Sequence, residues 1–187
     1  LDSNHLVSTG SEGKTGSLDS MQVFIEAHKS ENVDYLTFHM WAKNWGWIDT
    51  KNMEGTFQNA LDNAAEYIET HVEVAQDLNK PIVMEEFGFP RDDESYSRQS
   101  ATTFRDRYYE MVFSKVESYK PLAGTNFWSW GGLGKAQNED YWWNPGDPFT
   151  GDPPQEPQGL NSVFAKDSST LSIIKTHAKN LEQARAN

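Results

Sequence analysis

Four short apolar runs alternate with four helix-forming stretches, and this alternation constrains the fold more than any other feature of the sequence. The runs predict strands over residues 5–9, 34–40, 82–86 and 123–130. The stretches between and after them, at about 20–29, 57–78, 96–119 and 168–184, place apolar residues three and four apart, as amphipathic helices do. Strands that alternate with helices predict a parallel sheet with crossover helices.

The number of strand–helix units leaves two architectures open. An eight-unit barrel typically needs about 250 residues, and the chain has 187. Four units therefore predict half of a barrel, and an open four-stranded parallel sheet is the alternative. Both architectures place reactive residues at the carboxyl ends of the strands.

Composition narrows the class of ligand. Sixteen basic and twenty-eight acidic residues give a net charge of −12, which disfavours nucleic acid and anionic membrane surfaces as partners. Aromatic residues make up 13% of the chain, with seven Trp, and this abundance with many carboxylates suits a neutral polar ligand such as carbohydrate. There is no Cys, so thiolate and disulfide chemistry are excluded. The chain enters its first predicted strand within a few residues of Leu1, so we expect an upstream segment that is missing or supplied separately.

Chemically useful side chains fall at all four predicted strand ends: Glu12, His39, Trp41, Glu85, Glu86, Trp128 and Trp130. Side chains alternate along a strand, so Glu85 and Glu86 are expected on opposite faces, with only one reaching the mouth of a barrel. The alternative is structural: one carboxylate caps a helix or pairs with Arg91 or Arg98.

The imidazole and indole side chains also allow two interpretations. His39 is either a core histidine or a group whose N–H keeps a neighbouring carboxylate ionised and oriented. Trp41 and Trp128 are either core residues or rings that stack beneath a sugar. The other histidines, His5, His28, His71 and His177, are scattered along the chain, so a metal site has little support.

Five segments together resemble the carboxyl-terminal half of a glycoside hydrolase family 5 enzyme, closest to the β-mannanase and β-mannosidase branch. The segments are HLVSTGSEG, DYLTFHMWAKNWGWID, KPIVMEEFGFPRD, GTNFWSWGG and GDPPQEPQGLNSVF, in that order. The resemblance implies an α/β fold of the TIM (β/α)8 class, of which this chain supplies roughly strands 5 to 8. Residues 1–187 would then be the carboxyl-terminal half of a single catalytic domain.

The resemblance also implies roles for individual residues. The position of Glu86, immediately before an aromatic residue and Gly, is that of the catalytic nucleophile, and Glu85 would support it. His39 would position the sugar and the nucleophile, Trp128 would lie under the sugar at the cleavage point, and Glu12 would bind sugar on the leaving-group side. Further substrate-binding residues would be Trp41, Trp45 and Trp142.

Two departures from the family pattern affect these roles. Many members have Tyr where this chain has Trp41, and an indole donates a hydrogen bond but accepts none. The acid/base Glu and an Arg that contacts the nucleophile belong to the first half of the barrel, outside these residues. If this chain were complete in itself, another of its acidic residues, for instance Glu12 or Asp140, would have to act as the acid.

The implied activity is retaining hydrolysis of β-1,4-mannosidic bonds in mannan or manno-oligosaccharides through a glycosyl-enzyme intermediate, without cofactor or metal. The expected partners are the polysaccharide and the amino-terminal half of the barrel, on the same or a separate chain. Three alternatives stay open: an exo-acting β-mannosidase whose cleft is closed by the long loop with Trp142 and Trp143, a non-catalytic carbohydrate-binding protein, and a cellulose-active enzyme. A polymeric substrate implies secretion or export to the periplasm.

Overall fold

A computed structural model describes residues 4–186 and contains a three-stranded parallel sheet. Its strands are β1 (Leu36–Trp41), β2 (Ile82–Gly88) and β3 (Leu122–Phe127), in the order β1-β2-β3. The helices are α1 (Met21–His28), α2 (Met53–Asp77), α3 (Thr103–Ser118) and α4 (Ser168–Ala186). Two 3-10 turns, Thr15–Ser17 and Asp92–Glu94, precede α1 and α3. The predicted alternation of parallel strands and helices is therefore present from β1 onward.

Helix α2 covers the sheet with the face that the apolar spacing predicts. Its buried residues include Phe57, Ala60, Ala64, Ile68, Val72 and Ala75. They belong to the same core as strand residues Leu36, Phe38, Met40, Ile82 and Met84, all of which are fully buried. The core thus lies between the sheet and the helices that pack on it, and it leaves the carboxyl ends of the strands free for a site.

Side-chain caps fix where three helices begin. The Ser20 hydroxyl accepts a hydrogen bond from the N–H of Val23 at the start of α1. The Asn52 carboxamide oxygen accepts one from the N–H of Gly55 at the start of α2. The Asp92 carboxylate accepts from the N–H groups of Thr103 and Phe104. Because these are the free donors of a first helical turn, α3 begins at Thr103 and not near residue 96, where the sequence predicts it.

The strand predicted at residues 5–9 is wrong, since these residues form no strand. The backbone carbonyl of Val7 accepts a hydrogen bond from the N–H of Asp34 at 2.8 Å. The backbone carbonyl of Glu12 accepts one from the N–H of His39 at 3.2 Å. Two isolated backbone–backbone hydrogen bonds are too few for a ladder, so this segment runs beside β1 as irregular chain. The sheet that the structure describes therefore has three strands where a half-barrel would have four.

The last predicted strand, 123–130, is divided in two. β3 ends at Phe127, and β4 (Trp130–Gly132) pairs in parallel with β5 (Val163–Phe164) in a separate two-stranded sheet. The N–H of Val163 donates to the carbonyl of Ser129 at 2.7 Å, and this pairing draws the chain away from β2 after Trp128. No helix among residues 4–186 is long and apolar enough to cross a membrane.

Candidate active site

Glu86 and His39 meet at the carboxyl edge of the sheet, where β2 and β1 end side by side. The two residues are paired in the register of the strands. One carboxylate oxygen of Glu86, Oε2, lies 3.2 Å from His39 Nδ1. The Glu86 side chain keeps 30% of its surface exposed, whereas that of His39 keeps 17%. The carboxylate is thus held by an imidazole and still reaches solvent.

A β-bulge in β2 places Glu85 near the same imidazole. Phe38 pairs with Met84 and the next residue, His39, pairs with Glu86, so Glu85 is the extra residue. Glu85 Oε2 lies 3.9 Å from His39 Nε2. The expectation that Glu85 and Glu86 point to opposite faces is therefore wrong, because the bulge breaks the alternation on which it depends. Glu85 and Glu86 approach opposite ring nitrogens of one histidine.

A cleft of about 470 Å³ opens in front of Glu86. Its lining residues are Glu12, Trp41, Asn44, Trp45, Glu86, Trp128, Pro153, Gln155 and Glu156. Five of the residues predicted from the sequence therefore share this cleft, and His39 adjoins it through Glu86. The predicted binding residue Trp142 is not part of the lining; it lies in the long loop after β4, with its side chain about half exposed.

Two indole rings line the cleft, and a glycine behind them allows their approach. The rings of Trp41 and Trp128 meet edge to face, with centroids 6.2 Å apart. A Cβ on Gly88 would lie 2.9 Å from Trp41 Cζ3 and 3.0 Å from the carbonyl oxygen of Trp128. Because ordinary carbon contacts are longer than this, only glycine allows both tryptophans to approach the end of β2.

Helix α2 holds the segment that carries Glu12. The N–H of Lys14 donates to His71 Nε2 at 2.9 Å, and the N–H of Thr15 donates to the Tyr67 hydroxyl at 3.2 Å. His71 Nδ1 lies 2.7 Å from the carbonyl of Tyr67, so the neutral tautomer with its proton on Nδ1 satisfies both contacts. Burial lowers the pKa of His71 to about 4, which keeps the ring neutral and the segment fixed.

The long loop between β4 and β5 also contributes to the cleft lining, and it is folded around buried polar side chains. The Asp152 carboxylate accepts from the N–H groups of Gly159 and Asn161 at 2.8 and 2.9 Å. Gln158 Nε2 donates to the carbonyls of Asp152 and Pro153. Fully buried Arg105 donates to the carbonyls of Leu160 and Ser162. These bonds fix the turn that presents residues 153–156 to the cleft.

Residues Asn44, Gln155 and Glu156 were not predicted as site residues from the sequence. Burial raises the pKa of Glu156, and a hydrogen bond with Asn44 partly opposes that rise. None of the three residues ends a strand, so the rule that locates the other site residues does not reach them. Their only sequence signals are the family-like segments that contain them, DYLTFHMWAKNWGWID for Asn44 and GDPPQEPQG for Gln155 and Glu156.

The structural alternatives for the strand-end carboxylates are not realised. Arg91 is fully buried and pairs with Asp167 at 2.5 Å, whereas Arg98 donates to the carbonyls of Leu133 and Gly134. Neither arginine therefore engages Glu85 or Glu86. Asp140 lies outside the cleft and accepts from the N–H of Trp142. Within residues 4–186, no group of three His, Asp or Glu side chains is arranged to hold a metal ion.

Solved structures of other proteins share this architecture. The crystal structure of a glycoside hydrolase family 5 mannosidase from Rhizomucor miehei superposes on 96% of this chain with a TM-score of 0.84 and 36% sequence identity. An endo-β-1,4-mannanase from Thermotoga petrophila superposes on 97% of the chain with a TM-score of 0.58 and 23% identity, and this likeness concerns the fold alone. The chain covers 44% and 37% of those two chains, so its three strands correspond to part of a TIM barrel.

Curated sequences give the same relationship. A mannan endo-1,4-beta-mannosidase 4 from Solanum lycopersicum is 28% identical over 151 residues, which are 75% of this chain and 36% of that protein. A putative mannan endo-1,4-beta-mannosidase 4 from Arabidopsis thaliana is 25% identical over 97% of this chain and 42% of that protein. The chain therefore spans less than half the length of these relatives. The family model described as "GH family 5 beta-mannosidase-like" matches residues 1–186, and the chain belongs to this family.

Proposed function

We propose that this chain is the carboxyl-terminal half, strands 5 to 8, of the catalytic barrel of a retaining glycoside hydrolase that cleaves β-1,4-mannosidic bonds. The observation that carries the proposal is the carboxylate of Glu86, exposed in an aromatic cleft and held 3.2 Å from His39 Nδ1. Membership of a β-mannosidase-like family and likeness to mannan-cleaving relatives support mannan or manno-oligosaccharide as the substrate. A polymeric substrate favours action outside the cell or in the periplasm.

Glu86 supplies one of the two carboxyl groups that the reaction needs. Its oxygen attacks the anomeric carbon and forms a glycosyl-enzyme ester while the bond to the leaving oxygen breaks. A second carboxyl group, about 5 Å away, protonates that oxygen and then removes a proton from the water that hydrolyses the ester. His39 orients the Glu86 carboxylate, and the rings of Trp41 and Trp128 flank the sugar.

The second carboxyl group is assigned to the upstream half of the barrel. The other cleft carboxylates of the described residues are Glu12, on the segment held by α2, and Glu156, on the long loop. The family resemblance places the acid/base Glu in the first half of the barrel, so we assign both Glu12 and Glu156 to sugar binding. The chain by itself should therefore not turn over aryl β-mannosides or mannan. Addition of the upstream half, as a separate chain or by fusion, should restore turnover.

Glu86→Gln tests the nucleophile in the completed barrel. The amide keeps the shape of the side chain but cannot form the ester, so kcat should fall by about 10⁴-fold or more. Glu73→Gln is the matched control, because Glu73 is exposed on α2, away from the cleft. Tight binding of mannotriose with no turnover by the unsubstituted barrel would instead support a non-catalytic binding protein. Turnover by the isolated chain would contradict the assignment of the acid to the other half.

Exo action is the second candidate, and the long loop favours it. Residues 153–156 form a wall of the cleft beside Glu86, and the Rhizomucor miehei protein with a TM-score of 0.84 is named a mannosidase. A closed cleft admits only a chain end. Digestion of mannohexaose decides between the modes: an exo enzyme releases mannose from the first minutes, whereas an endo enzyme releases mannobiose and mannotriose first. Cellohexaose in the same assay tests cellulose as the substrate.

A further inference from the structure

A second cavity, of about 580 Å³, lies next to the cleft and contains none of the strand-end carboxylates. It is bounded by the segment before α1, the loop after β1 and one face of α2. We call it the side cavity, and its lining includes Lys14, Asp19, Trp45, Trp47, Asn63 and Glu66. Trp45 lines both the side cavity and the cleft. The two spaces are therefore neighbours at this ring.

Three aromatic rings form the apolar part of the side cavity. The centroids of Trp45 and Trp47 are 5.0 Å apart with their planes 70° to each other, and Tyr67 lies 5.1 Å from Trp45 and 5.7 Å from Trp47. The three rings are thus in mutual contact, with Trp47 edge to face against both Trp45 and Tyr67. Each indole is only partly buried against the core, so apolar ring surface is left for a ligand.

Charge selects the class of ligand. The side cavity brings Lys14 together with Asp19 and Glu66, so its lining carries one more negative than positive group. Phosphate or another anion is therefore disfavoured. Aromatic surface beside carboxylate and carboxamide groups suits a neutral molecule with apolar C–H faces and many hydroxyls. Binding pockets for small molecules measure about 300–1,000 Å³, and the side cavity falls within this range.

We propose that the side cavity is a carbohydrate-binding subsite that takes mannosyl residues of a longer mannan chain, beyond those held in the cleft. Trp45 is the ring that the two sites share, and Trp47 is the platform of the new subsite. Glu66, which is exposed on α2, is placed to accept hydrogen bonds from sugar hydroxyls. This inference rests on the proposed function, because it extends the substrate of the same cleft.

Trp47→Ala tests the subsite through its dependence on chain length. In the completed barrel, we expect the ratio of kcat/KM for mannohexaose to kcat/KM for a nitrophenyl β-mannoside to fall about tenfold, the effect of one lost ring contact. Phe149→Ala is the control, because Phe149 is an exposed ring outside both cavities, and it should leave the ratio within about twofold. An unchanged ratio in Trp47→Ala would overturn the subsite.

A second variant and a binding measurement keep the proposal open to refutation if Trp47→Ala does not fold. Glu66→Ala removes an exposed group and should lower the same ratio about threefold or more; no change would overturn the proposal. Calorimetric titration of the completed barrel that carries Glu86→Gln, with mannohexaose and with mannobiose, needs no turnover. Tighter binding of mannohexaose that Glu66→Ala weakens supports the subsite even if the barrel proves inactive. Equal affinity for the two sugars contradicts it.

Discussion

Lowering the pH from 7 to 4 should destabilise the fold through His71, a residue that no strand-end rule singles out. Its ring is fully buried and stacks on Phe38 with centroids 5.0 Å apart. Its Nε2 accepts from the N–H of Lys14, so a proton added there would face a donor and break the contact. Burial holds the pKa of His71 at about 4, against 6.5 for an exposed histidine.

The sign follows from which state binds the proton. Between pH 6.5 and about pH 4 the unfolded chain protonates this histidine and the folded chain does not, so the free energy of unfolding falls as the pH falls. The stability that depends on neutral His71 is fully present above pH 6.5 and is lost toward pH 4. One proton corresponds to about 1.4 kcal/mol per pH unit, and the whole interval corresponds to about 3 kcal/mol.

His71→Gln isolates this contribution, because an amide can still accept from the N–H of Lys14 but does not titrate. The free energies of unfolding of the two proteins, measured in urea from pH 7.5 to pH 4, should converge by about 3 kcal/mol as the pH falls. The imidazole signal that disappears in the variant identifies His71 in a proton NMR titration. Parallel stability curves, or an NMR midpoint near 6.5, would refute the reasoning.

Two further substitutions test the supports of the cleft. Gly88→Ala should cost about 1–3 kcal/mol in urea unfolding, because the added Cβ meets Trp41 and the Trp128 carbonyl; a smaller cost would mean that the rings move freely. Arg91→Met should cost about 3–5 kcal/mol, because it leaves the carboxylate of Asp167 buried without its 2.5 Å partner. The exposed Arg107→Met is the control for Arg91, and thermal unfolding that is equal in the two variants would contradict the buried pair.

Much of the fold could be predicted because its signals are local. The apolar stripe of α2 and the short runs of β1 and β2 are visible in the spacing of residues, and the structure places these elements within a few residues of the prediction. The segment at 5–9 has the same local signal, but a strand needs a neighbour along its whole length. Within residues 5–9, one backbone hydrogen bond joins Val7 to Asp34 on the flank of β1, so the segment stays irregular.

Most of the candidate site followed from one rule, that the carboxyl ends of parallel strands converge on one edge. That rule predicts that His39, Trp41, Glu86 and Trp128 lie together. It could not place Trp142, because the path of a long loop depends on which buried groups anchor it. The anchors here, Arg105, Asp152 and Gln158, act across tens of residues or within a turn with no periodic pattern.

The sequence by itself determined the alternation of strands and helices and the residues that end β1, β2 and β3, since both depend on neighbours along the chain. Only the tertiary structure decided that Glu85 is a bulge residue facing the same imidazole as Glu86, that Glu156 joins the cleft, and that a side cavity adjoins it at Trp45. The physical reason is that strand register, loop anchoring and cavity shape arise from contacts between segments far apart in the chain, which no local spacing records.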